Sequence, residues 1–126
     1  RYRLQLGRYF ARLNDLESAR RELALAEPHL EPASCQRDSL HAARHELRAE
    51  IMYAEGNLTD AITEMEQAVR LREVAAPMFM GGEEYASART LLALKRLEEL
   101  VLETGDPSAA TAVRHRVVAL RQRFDW

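Results

Sequence analysis

His41 and His45 stand four residues apart, a spacing that sets two imidazoles on one helix face and lets both reach a single metal ion. Cys35 lies close by in sequence and offers a thiol. Two ligands do not make a site, and no clear third and fourth ligand accompanies them. The expectation is therefore exposed polar residues on a helix, with no metal bound. His29 and His115 have no partner arrangement. Carboxylate pairs are the usual tools of acid–base chemistry, yet Glu64 with Glu66, and Glu98 with Glu99, fall on different faces of their helices and read as surface. No nucleophile elbow, phosphate loop or zinc-protease signature occurs. The chain reads as a non-enzyme without a cofactor.

Arg114, Arg116, Arg121 and Arg123 make the last helical stretch basic, a pattern that could draw nucleic acid. The helix macrodipole accounts for part of it, because cations are favoured near a helix C-terminus. With 18 basic against 20 acidic residues the formal charge is −2, which supplies no global attraction to nucleic acid or to anionic lipid. Neither is expected as a partner. Cys35 is the only cysteine, so no disulfide forms within the chain, zinc patterns built on paired cysteines are excluded, and a cytoplasmic location is expected. No apolar run approaches the length that crosses a bilayer, and no signal-peptide core is visible near Arg1. The chain opens without Met, inside a helical pattern, and reads as a piece of a longer protein.

The elements that position these side chains are announced by a repeat. Asn14-Asp15-Leu16-Glu17-Ser18-Ala19, Gly56-Asn57-Leu58-Thr59-Asp60-Ala61 and Gly105-Asp106-Pro107-Ser108-Ala109-Ala110 each spell a corner between two helices. Gly56 and Gly105 take the left-handed conformation that ends a helix, and Asn14 is the usual substitute. Asp15, Asn57 and Asp106 each carry a side-chain oxygen suited to cap the next helix, and Pro107 fits the first helical position. Ala19, Ala61 and Ala110 let the paired helices approach closely. Helices are expected over about 2–13, 16–27, 38–55, 58–74, 84–104 and 107–124, the third capped by Asp38 or Ser39. Residues 28–37 and 78–82 read as connections. An apolar content of 47% against 30% charged suits one all-α domain over 1–126, with repeats at about 1–37, 38–82 and 83–126.

These copies resemble the tetratricopeptide repeat, a helix-turn-helix unit marked by Leu-Gly, an aromatic residue and small alanines. The first supplies Leu6-Gly7, Phe10, Ala19, Leu23 and Ala26, with Arg3 where the family often has Trp. The second supplies Ala49, Met52, Gly56, Ala61, Met65 and Ala68. The third keeps Leu94, Leu97, Val101, Gly105 and Ala110 but has Arg114 and Val117 at the two downstream packing positions. Forty-two residues separate Ala19 from Ala61 and forty-nine separate Ala61 from Ala110, longer than the family period of about 34. The resemblance is to divergent repeats with long helices. It implies a right-handed α-solenoid of three antiparallel helix pairs on one continuous apolar spine, binding a peptide or partner protein in a concave groove.

On the matched pattern the groove positions are Arg1, Leu4, Arg8 and Arg12 in the first copy, Glu46, Glu50 and Tyr53 in the second, and Leu92, Lys95 and Glu99 in the third. Such a groove is basic at one end and acidic at its middle. Some tetratricopeptide domains hold a chaperone's terminal carboxylate with Lys, Asn and Arg. Arg8 and Arg96 stand in comparable places, but Leu4 and Leu47 replace the Lys and the Asn, so that ligand is not expected. Met78, Phe79 and Met80 form an apolar group expected to fold back under its connection. The last helix ends on Val117, Leu120, Phe124 and Trp126 with no capping helix after them. An apolar end of that kind makes a homodimer, or a self-associating or regulatory segment of a larger signalling protein, the alternative function.

Overall fold

The computed structural model describes residues 2–27, 35–78 and 82–126. Among them run six α-helices and no strand: α1 (Tyr2–Arg12), α2 (Leu16–Ala26), α3 (Cys35–Ala54), α4 (Leu58–Ala75), α5 (Glu83–Leu102) and α6 (Pro107–Arg123), with a 3₁₀ turn at Ala76–Met78. Arg1, His29, Phe79 and Met80, and the side chains of Cys35 and Met78, lie outside the described residues. No helix described is long and apolar enough to cross a membrane.

The three short corners follow the chemistry of their residues. Asn14, Gly56 and Gly105 all have positive φ, at 62°, 84° and 78°, and each is followed by a capping side chain. Asp15 accepts from the Ser18 amide, Asn57 from that of Asp60, and Asp106 from those of Ser108 and Ala109. These bonds satisfy amides that the opening turn of a helix leaves without a backbone partner. The third helix departs from expectation. It is already helical at Cys35, so residues 35–37 belong to it rather than to a connection, and Ser39 is a buried residue inside it instead of a cap.

Packing follows the apolar stripes. In α4 the buried residues Ala61, Met65, Ala68, Val69, Arg72 and Ala75 recur at helical intervals. Helices pair α1 with α2, α3 with α4 and α5 with α6, and the pairs meet through α1 and α2 against α3 and through α4 against α5. Gly7 permits the first of these junctions, because a Cβ there would sit 2.7 Å from Leu47 Cδ2.

Among the described residues the buried apolar side chains divide into two clusters rather than one spine. Leu4, Ala11, Ala19, Ala26, Ala43, Leu47 and Ile51 form one cluster. A larger one gathers residues of α3 to α6, including Met65, Val69, Leu97 and Leu100. Among the described residues only α3 contributes to both, through Ala43, Leu47 and Ile51 on one side and Ala42 and Ala49 on the other. Successive helical positions diverge by about 100°, so a single helix can feed two separate interiors.

The end of α6 is also more enclosed than its sequence suggests. Val117 is buried and Leu120 packs against the larger cluster. Phe124 stacks on Trp126, whose indole N–H donates to Glu84 at 3.1 Å, and Arg123 pairs with Glu83. The third corner buries Ala110, Val113 and Val117. Val113 therefore takes the packing position given to Arg114, which is exposed and pairs with Glu98.

Candidate functional site

Glu46 and Glu50 lie one turn apart on α3, the helix that both apolar clusters share. Neither carboxylate faces solvent: they are 3% and 2% exposed. A charge that far from water needs partners, and three other helices provide them. Arg72 of α4 donates to Glu46 through Nε at 2.8 Å and Nη2 at 2.6 Å, and Arg8 of α1 adds Nη1 at 3.3 Å. Arg96 of α5 grips Glu50 Oε1 through Nε at 3.0 Å and Nη2 at 2.7 Å, while Arg12 of α1 donates Nε to Oε2 at 3.0 Å. Two carboxylates on α3 thus tie α1, α4 and α5 together.

Tyr53, one turn beyond Glu50, extends this polar row. The Arg96 guanidinium lies 5.0 Å from the centre of its ring, a cation–π contact, and its hydroxyl donates to Glu103 at 2.9 Å. That hydrogen bond to Glu103, helped by desolvation, raises the phenol above its ordinary 10.0. Burial works against the charge of Arg96, but the carboxylates of Glu50 and Glu99 outweigh it and raise the guanidinium above its ordinary value.

Above the row the chain leaves an open groove. A cleft of about 540 Å³ runs between Gln5, Arg8, Tyr9 and Arg12 on α1 and Leu92, Lys95, Arg96 and Glu99 on α5. A second, of about 250 Å³, opens over Glu50 and Tyr53 and shares Arg12 and Arg96 with the first. Arg8, Arg12, Leu92, Lys95 and Glu99 therefore line one space although α1 and α5 lie some eighty residues apart in the chain.

Two of the expected groove residues are placed differently. Leu4 is fully buried with Leu47 in the smaller cluster and presents no surface; it shares a helix face with Arg8, but its short side chain ends inside that cluster while the longer arginine reaches the cleft. Glu46 sits beneath the groove rather than in its lining, whereas Glu50 lines the smaller cleft with its carboxylate already taken up by Arg12 and Arg96. Arg1 lies outside the described residues. The pattern did not mark Tyr9, which lines the larger cleft, nor buried Arg72 as the partner of Glu46, and it noted Arg96 only by comparison with the chaperone clamp. Arg72 falls on the buried stripe of α4, where an arginine itself signals a buried carboxylate partner.

The other candidates have ordinary structural employment. His45 Nδ1 meets Glu64 Oε2 across the α3–α4 pair, and no group of three potential metal ligands occurs among the described residues. Glu66 and Glu73 both pair with Arg116, and Glu98 with Arg114. The basic character of α6 is thereby largely matched by carboxylates of α4 and α5. Comparison with protein-family models, curated proteins and solved structures returns no match.

Proposed function

We propose that this chain is a protein-interaction module of tetratricopeptide type, its three helix pairs stacked as a right-handed solenoid and its groove receiving a segment of another protein. One observation carries the reading. The first helices of the first and third pairs face each other across a cleft, and the first helix of the second pair supplies the groups beneath it. A pocket bounded by pre-packed helices and lined by mixed apolar and charged side chains suits recognition of a peptide. Its chemistry suits binding rather than catalysis, because Glu46 and Glu50 each already accept from two guanidiniums.

Selection from a random-peptide display library tests the reading. Peptides recovered on the wild-type chain should lose binding to Leu92→Asp, in the cleft, and keep it with Val118→Asp, an exposed position on α6. Equal loss with both variants, or with neither, would remove the groove from the account. The self-association alternative draws less support, since Val117, Leu120, Phe124 and Trp126 find contacts within the chain.

A further inference from the structure

We infer that the segment received by this groove is acidic and carries an apolar or aromatic side chain among its carboxylates, an inference that rests on the groove reading above. The polar row contains four guanidiniums, from Arg8, Arg12, Arg72 and Arg96, against the two carboxylates of Glu46 and Glu50. Within the row cations outnumber carboxylates by two; Arg8, Arg12 and Arg96 line the clefts, whereas Arg72 and Glu46 lie below and Glu50 opens only to the smaller one. On the rim Lys95 and Glu99 cancel in charge but not in availability. Glu99 is engaged by Arg96 at 3.2 Å, whereas exposed Lys95 has no ion-pair partner among the described residues. Arg12, 57% exposed, spends only Nε on Glu50 and keeps its terminal nitrogens for a ligand.

The walls supply the apolar half of the match. Tyr9 on α1 is 60% exposed and Leu92 on α5 is 69% exposed, and both line the larger cleft. Large apolar side chains left open on both walls of a cationic cleft fit an inserted aliphatic or aromatic residue flanked by carboxylates. Nucleic acid fits less well. Phosphate tracking needs a run of free cations, and here the guanidiniums are tethered to buried carboxylates with Glu99 projecting at the rim.

The display selection decides the matter when its products are read for charge. Enrichment of acidic peptides with an apolar residue is expected. Their affinity should fall about tenfold when salt rises from about 0.05 M to about 0.5 M, and by a similar factor with Lys95→Glu. Among the described residues exposed Lys95 has no ion-pair partner, so this variant should leave stability in place, and Lys95→Arg should retain binding. Enrichment of neutral or basic peptides that still depend on Leu92 would overturn the inference and leave the groove standing. Peptides indifferent to Leu92→Asp would remove both. A single-stranded oligonucleotide that binds and displaces the selected peptides with equal or greater affinity would also overturn it.

Discussion

Arg72 and Glu46 form a two-point ion pair between α4 and α3, with Nε and Nη2 at 2.8 and 2.6 Å from the two carboxylate oxygens and both side chains sealed from solvent. Such a pair contributes less to net stability than its geometry suggests, since both charges were dehydrated to make it. Breaking it is another matter, because the survivor stays buried and unmatched.

Glu46→Gln should therefore lower the free energy of unfolding by about 3 kcal/mol. The double replacement Glu46→Leu with Arg72→Met should cost clearly less than the two single changes added together. Urea unfolding midpoints of the four proteins measure the coupling. Simple additivity would show that the two side chains do not act as a unit.

Glu50 separates its two partners by burial. Arg12 is 57% exposed, so Arg12→Ala should cost no more than about 1 kcal/mol. Arg96 is largely enclosed and holds Glu50 through two nitrogens, and Arg96→Ala should cost about 3 kcal/mol. Matched thermal melts of the two variants compare them directly; equal losses would contradict this division of the carboxylate.

Gly7 opposes helix propensity to packing. Alanine favours a helix over glycine by about 1 kcal/mol, but here its methyl would press on Leu47, which is fully buried. Gly7→Ala should destabilise by about 1–3 kcal/mol, and Leu47→Val introduced beside it should recover part of that loss. Chemical denaturation provides the readout, and a stabilised Gly7→Ala would mean that the junction has room to spare.

The Tyr53 phenol is raised by its hydrogen bond to Glu103. Its proton is held more tightly in the folded chain than in the unfolded one. The contribution is fully present below the ordinary value of 10.0 and is lost as pH rises through the folded value. Absorbance titration should show Tyr53→Phe removing a phenol transition above 10.0, and Glu103→Gln shifting that transition downward.

The short corners were legible in the sequence because their causes are local: a left-handed residue followed by a capping oxygen needs nothing from elsewhere in the chain. The same holds for the alanine stripes at Ala19, Ala61 and Ala110, all buried. Glu46 and Glu50 were not legible as interior groups. Periodicity sends charged residues to the surface, and the arginines that bring these two inside lie 26 to 46 residues away. Leu4 failed for a related reason, since a family pattern fixes a helix face only to within a residue or so while burial changes within that margin. The larger cleft was legible in five of its members, Arg8, Arg12, Leu92, Lys95 and Glu99, because they occupy equivalent turns of α1 and α5.

That α3 serves two interiors bears on how the chain comes apart. The α1–α2 hairpin rests on one flank of α3, while α4, α5 and α6 are held together by the opposite flank and by one another. Under mild denaturing stress the α1–α2 hairpin, resting on the smaller cluster, should open before the rest and take the α1 wall of the cleft with it. Occupancy of the cleft would then act as a clasp, linking capture of a partner to closure of the whole array.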